Sequence, residues 1–359
     1  MTILYVGYAV AFFFAMNIGA SGAAASMGVA YGAGAVKRRL AALALAGLGV
    51  FLGAALGGGE VAKTIGSGII PGSLMTIKLA VIILSAACLS LFIANLLGIP
   101  LSTSEVTVGA VVGVGVAFQA VYLSKLITIL LFWLAVPVVA FLMALVAGWL
   151  IHWIQRRFPR LRERKVQRWL AFLLLFAGFM EAFSAGMNNV ANAVGPLVGA
   201  NLLSVSDGIF YGGFFVALGA ILLGGKVLET NGKKITNLSL LEGTAVSGTG
   251  AGLVIGASML GIPVPLTQIT TSAIIGIGTA KNGFSLWQKN VIAQMLKVWL
   301  VSPVFSLVIA YGLVKGLVNV DLWSVIVLTS VFLATAGSIS LMRTVREEKR
   351  SLHEHGGGI

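Results

Sequence analysis

The chain is poor in charge, cysteine and histidine. Only 10% of its 359 residues are charged, against about 25% in a soluble domain. The one cysteine, Cys88, excludes an intramolecular disulfide and a thiolate metal site. Of three histidines two, His353 and His355, sit in the C-terminal tail, which argues against a histidine metal centre. No nucleophile–base pair or metal-ligand set stands out, so enzymatic chemistry is not expected. What the chain has is apolar surface: 58% of its residues are hydrophobic and its mean hydropathy is +1.02. A globule of this size cannot hide so much of it, so the solvent must be a lipid bilayer. At about 20 residues per span, this composition allows roughly ten helices. The 46 glycines suit close helix packing and helix breaks.

Apolar segments cover residues 3–35, 40–58, 74–95, 105–121, 124–152, 169–200, 208–225, 238–260, 268–280, 290–316 and 320–342. They are too long and too continuously apolar for barrel strands, which alternate in polarity. The expected fold is an all-α polytopic membrane protein with about 11–12 transmembrane helical segments. No basic leader precedes residues 3–16, which are expected to be a retained span rather than a signal peptide. The net charge of +13 is concentrated in short clusters between apolar segments: Lys37 to Arg39; Arg156 to Arg168 with seven basic residues; Lys226, Lys233 and Lys234; Lys281 and Lys289; Arg343, Arg346, Lys349 and Arg350. That is a positive-inside distribution, and it speaks for a membrane and against nucleic acid. With one crossing per segment, eleven crossings alternate without conflict. The N-terminus then lies outside and the C-terminus in the cytoplasm, in the cell (inner) membrane.

The sequence is duplicated. Residues 98–115, GIPLSTSEVTVGAVVGVG, match 261–278, GIPVPLTQITTSAIIGIG. Residues 58–69 match 224–235, residues 133–138 (WLAVPV) match 299–304 (WLVSPV), and Met16-Asn17 matches Met187-Asn188, which sets Ser21 opposite Asn192. The order is kept at a nearly constant offset. Each copy holds five segments, an odd number, so the second enters from the opposite side. The expectation is two inverted-topology repeats, 1–153 and 169–317, an arrangement found in secondary transporters. A basic cytoplasmic linker, 154–168, joins them. An additional helix, 318–342, and a cytoplasmic polar tail, 343–359, follow. The additional helix lies outside the repeat and is a candidate homodimer surface.

Polar residues inside apolar segments mark function. Asn17 to Gly22 and Asn188 to Asn192 read as two broken helices facing one cavity. Asn oxygens and freed carbonyls there are hard ligands suited to Na+, and Asn17, Ser21, Asn188, Asn189, Asn192 and Glu105 form the candidate cation set. The plainer reading is small-residue packing with Asn bridging helices. Ser102-Thr103-Ser104-Glu105 and Thr267-Gln268-Ile269-Thr270 each follow a proline turn and open a short apolar run, re-entrant in character. A hydroxyl-rich helix N-terminus offers free N–H groups and the positive dipole end. Ser102, Thr103, Ser104, Thr267, Gln268 and Thr270 are therefore the candidate anion ligands. Ordinary N-capping is the plainer reading of these turns. Glu181 is a further intramembrane carboxyl, a candidate cation ligand, proton carrier or structural bridge.

These residues resemble a known family. Asn188-Asn189-Val190-Ala191-Asn192-Ala193-Val194-Gly195-Pro196-Leu197 resembles the signature of the inorganic phosphate transporter (PiT) family, Gly-Ala-Asn-Asp-Val-Ala-Asn-Ala with Gly-Pro-Leu beyond. Pro100 to Glu105 resembles its Pro-Val-Ser-Thr-Thr-His turn, and Gly59 to Ile70 is similar to a further family segment. The resemblance implies a sodium-coupled inorganic phosphate symporter working by alternating access, with Na+ as coupling ion and no other cofactor. A proton-coupled phosphate or sulfate carrier and an anion channel are the alternatives. Three departures bear on the coupling ion: the signature Asp is Asn189 in one copy and Ile18 in the other, the last signature Asn is Ser21 in the first copy, and the turn His is Glu105 or Gln268.

Overall fold

The computed structural model describes residues 2–96, 101–234, 238–283 and 290–321, with 323, 324, 326, 327, 329 and 330 beyond. The Gly98–Pro100 turn, most of the eleventh segment with the dimer surface expected on it, and the tail lie outside the described residues. All regular structure among the described residues is helical. The principal helices are α1 (Thr2–Ser26), α2 (Gly28–Gly32), α3 (Arg39–Gly57), α4 (Gly59–Lys63), α5 (Ile77–Leu96), α6 (Thr103–Ala117) and α7 (Leu123–Arg157). After the linker come α8 (Arg164–Gly199), α9 (Val205–Leu223), α10 (Gly225–Lys234), α11 (Leu240–Met259), α12 (Leu266–Asn282) and α13 (Asn290–Leu317).

Helix pairings recur between the halves. Helix α3 packs on α8 as α9 packs on α1; α6 packs on α13 as α12 packs on α7; α5 lies beside α1 as α11 lies beside α8. Lipid gives helices little hydrophobic reason to associate, so small residues that let backbones approach dominate such contacts. A Cβ on Gly53 would overlap the carbonyl oxygen of Phe183, and one on Gly186 that of Val50. In the other half a Cβ on Gly219 would overlap the Met16 carbonyl oxygen, and one on Gly19 that of Val216. These contacts pair Gly19 with Gly186, about one turn away from the register of the Met16–Met187 sequence match. In that packing register Ser21, and not Asn17, stands opposite Asn188.

The expected segments differ in length. Six helices among the described residues are long and apolar enough to cross by length and composition, α1, α3, α7, α8, α9 and α11. Yet α11 and α12 form a hairpin. At its open end Gln155 of α7 donates to Ser239, just ahead of α11 (3.2 Å), and Gly148 of α7 packs on Ala280, near the end of α12. At its tip Trp133 of α7 donates to the Pro263 carbonyl (2.8 Å). Helices α5 and α6 form the counterpart, opening at the other end. There Gly115 packs on Ile70, and Tyr122 N–H bonds the Ile69 carbonyl (2.8 Å). The reason is length: α6 and α12 have 15 and 17 residues and rise about 22–26 Å, short of the ≈ 30 Å hydrocarbon core. Folding back in place of two crossings moves only the hairpin tips and leaves the other loops on the sides expected from the charge pattern.

Among the described residues, the basic clusters at Lys37 to Arg39, the linker and Lys226 gather at one end. Arg39 pairs with Glu229 at 3.0 Å, and the Gln155–Ser239 bond joins the linker to the start of α11. Cysteines replacing Arg164 and Lys226 should therefore react with an impermeant maleimide from the same side of the membrane. Cys88, the only native thiol, is buried and gives little background. Labelling from opposite sides would defeat this end-to-end assignment.

Candidate functional site

The two hairpin tips meet on α8. Asn188, fully buried, accepts from Ser104 Oγ of one hairpin (3.2 Å) and from Val264 N–H at the tip of the other (3.1 Å). Its amide donates to Ser258 Oγ (2.9 Å) and to the Ile262 carbonyl (3.2 Å). Both donors and both acceptor positions of the amide are thus used. One turn on, Asn192 donates to Thr103 Oγ1 (3.3 Å) and Ser104 Oγ (3.2 Å). Its own Oδ1 is buried without a partner. Glu105 and Gln268, equivalent in the duplicated sequence, meet directly: the Gln268 amide donates to Glu105 Oε1.

The helix starts beside this cluster are uncapped. Ser102 precedes α6 without a side-chain cap, and the first intrahelical bond runs from Val106 N–H to the Ser102 carbonyl (3.1 Å). The N–H groups of Thr103, Ser104 and Glu105 therefore have no intrahelical acceptor. Helix α12 starts from Pro265, again without a side-chain cap. Two positive dipole ends, with the hydroxyls of Thr103 and Ser104, converge without a lysine or arginine among the described residues. Such an arrangement holds an anion through N–H and O–H donors. Among the described residues no group of three His, Cys, Asp or Glu gathers as a metal site would require.

Not every expected ligand is part of this cluster. Helix α8 runs unbroken through Asn188 to Asn192, so the break expected there is absent. The hairpin tips satisfy the Asn188 amide, and Pro196, which has no N–H, withdraws only the helical donor of the Asn192 carbonyl. In α1 the break exists as a π-helical stretch, Gly19–Ala23, but Asn17 donates to the Phe13 carbonyl of its own helix (2.9 Å). Ser21 likewise bonds the Asn17 carbonyl (2.9 Å). Gly22 faces Asn189: a Cβ there would lie 3.4 Å from the Asn189 amide nitrogen. Thr270 turns away from the tip to Glu181 Oε1 (2.7 Å). Sequence reasoning missed Ser258, Ser247 and Ser302, all buried; serines in otherwise apolar runs were the signal for them.

Loss of one hydroxyl beside a helix N-terminus costs about 1.5–3 kcal/mol when it bonds a charged ligand. Ser104→Ala and Thr267→Val should each weaken oxyanion binding by roughly tenfold to a hundredfold, measured by equilibrium binding to purified protein. Asn17→Ala, which removes only a bond within its own helix, should bind as the parent does. Parent-like affinity in both hydroxyl variants would take these turns out of the site.

The chain is similar to known proteins over most of its length. The model of the phosphate transporter family matches residues 18–310. The sulfate permease CysP of Bacillus subtilis is 59% identical over 97% of each chain. A solved structure of a protein named the sodium-dependent phosphate transporter superposes with a TM-score of 0.76 at 25% identity, over 87% of this chain and 98% of that one.

Proposed function

The chain belongs to the phosphate transporter family, and from that premise we propose that it is a cation-coupled symporter of a tetrahedral oxyanion working by alternating access. One observation carries the reading: two uncapped helix N-termini meet over Asn188 at the tips of hairpins that open to opposite ends of the bundle. A dianion held there is within reach of either end once one hairpin shifts against α8. The same opposed hairpins, with the helix pairings that recur between halves, support two inverted repeats joined by the 154–168 linker. The clustered basic residues support a cytoplasmic face for that linker, with the N-terminus outside in the inner membrane.

Sulfate is the anion favoured, because the 59% identical relative is named a sulfate permease. Phosphate is the second reading. Monohydrogen phosphate carries an O–H that needs an acceptor, and the unpartnered Asn192 Oδ1 is one. Coupling to Na+ is supported by the structural neighbour, which is named as sodium-dependent. Coupling to H+ is favoured by Asn189 in place of the signature Asp and by the full use of the Asn188 amide.

Radiolabelled sulfate and phosphate uptake into proteoliposomes tests the reading. The expected result is accumulation against the anion's gradient under an imposed Na+ or pH gradient, with sulfate preferred. Flux that only follows the anion's own gradient would make the protein a channel and overturn it.

A further inference from the structure

One buried carboxyl lies outside the anion cluster and is not used by it. Glu181 sits on α8 two turns before Asn188 and is 1% exposed. Its Oε1 accepts from Thr270 Oγ1 of α12 at 2.7 Å. Its Oε2 is buried without a partner, as is the hydroxyl oxygen of Ser247 on α11, which lies next to the carboxyl. Gly250 completes the wall: a Cβ there would lie 3.5 Å from Glu181 Oε1 and 3.6 Å from Thr270 Oγ1.

Among the described residues no fixed charge faces this carboxyl. Helix α3 has no titratable residue between Leu40 and Gly57. Helix α2 brings Tyr31, beyond the Ala30 that packs on Gly178. Helix α11 brings Glu242, eight residues before Gly250, tied to the Ser239 N–H and facing His152. Helix α12 brings Lys281, eleven residues beyond Thr270 and at the far end of the hairpin. Glu105 of α6 is engaged by Gln268.

An ionised carboxylate with one hydrogen bond at this depth, and no cation beside it, is costly. It must be neutralised while it is closed off from water. A hard metal cation gathers about six oxygens in a protein site; this pocket offers one carboxyl and two hydroxyls. A proton needs one oxygen to hold it and one acceptor, and Oε2 and Ser247 Oγ provide them.

We propose that Glu181, with Thr270 and Ser247, is the proton-binding site that couples anion transport to the proton gradient. This assignment rests on the symporter reading above. The balance is simple: one proton joins Glu181 from the side on which the anion is bound and leaves to water on the other side, with no bond made or broken in the anion. Thr270 lies one turn from Thr267 at the hairpin tip, so the protonation state of Glu181 is felt by the element that closes over the anion. A proton on Glu181 also removes a negative charge near the incoming dianion, which is the electrostatic origin of the coupling.

The test uses purified full-length protein in proteoliposomes loaded with a pH-sensitive dye, with sulfate as the probe. In the parent, sulfate entry should acidify the lumen, and an imposed pH gradient (acid outside) should drive accumulation. In Glu181→Gln, sulfate-dependent acidification should be lost, gradient-driven accumulation should fall at least tenfold, and sulfate exchange should become independent of pH. Ser247→Ala and Thr270→Val, which keep the carboxyl, should retain proton uptake but move the pH profile of exchange. Proton-driven accumulation surviving in Glu181→Gln would overturn the assignment. So would a parent driven by Na+ and indifferent to pH, which would leave the symporter reading intact. A parent that never accumulates anion would instead refute the symporter reading itself. If Glu181→Gln does not fold, unmoved pH profiles in the two hydroxyl variants overturn the proposal.

Discussion

Asn188→Leu should abolish transport. Leucine has the branching of asparagine and is somewhat larger, so the change removes hydrogen bonds without opening a cavity. Four partners lose their bond at once: Ser104 Oγ, Ser258 Oγ, the Ile262 carbonyl and the Val264 N–H. Each buried polar group left unsatisfied costs about 1–3 kcal/mol, and a whole domain is stable by only about 5–15 kcal/mol. The two hairpin tips then have no common anchor on α8. Uptake should fall by at least about a hundredfold, the loss of roughly 2.7 kcal/mol or more of binding and positioning, and the melting temperature in detergent should drop. Asn188→Asp separates the two effects. It keeps an acceptor for Ser104 and Val264, loses both donors, and sets a negative charge where the anion is expected. Its oxyanion binding should be lost with more of the stability retained. Parent-like uptake in Asn188→Leu would show that the tips are held by other contacts.

Gly53→Ala and Gly186→Ala are expected to prevent correct assembly, although alanine is the better helix former. A methyl group at either position overlaps a carbonyl oxygen on the facing helix, Phe183 on α8 or Val50 on α3. Backbone cannot step aside as a flexible side chain can, so α3 and α8 must separate along their length. That separation would shift α8, which carries Asn188, Asn192 and Glu181 together. The expected outcome is little monodisperse protein and no uptake. Gly248 and Gly252 of α11 are the controls, because a Cβ at either meets nothing within 4 Å. Alanine there should be neutral or stabilising by a few tenths to about 1 kcal/mol. Size-exclusion profiles and uptake of the four variants, side by side, decide the matter. Normal assembly of Gly53→Ala and Gly186→Ala would mean that the helices cross with more room than the structure gives them.

The sequence by itself determined the solvent of this protein and singled out the residues proposed for its chemistry. Apolar runs of helix length require a bilayer, and the basic clusters mark the loops expected to share a side, because charge is costly to translocate. The duplicated Ser102–Glu105 and Thr267–Thr270 turns were legible for the same reason: hydroxyls and a carboxyl at lipid depth stand out against their surroundings. Only the tertiary structure decided how these parts combine. Whether α6 and α12 cross or fold back depends on partners more than a hundred residues away, such as Pro303 against Gly109 and Phe141 against Gly276, and no local pattern encodes that. Asn17 and Asn188 looked alike in sequence, yet one amide satisfies a carbonyl of its own helix and the other anchors two hairpins. An amide has the same donors and acceptors in both places; which groups they meet is set by the packing register of α1 and α8. The same holds for Glu181. Its composition-level oddity was plain, but its unpartnered oxygen beside Ser247 exists only because α11 and α12 close over α8.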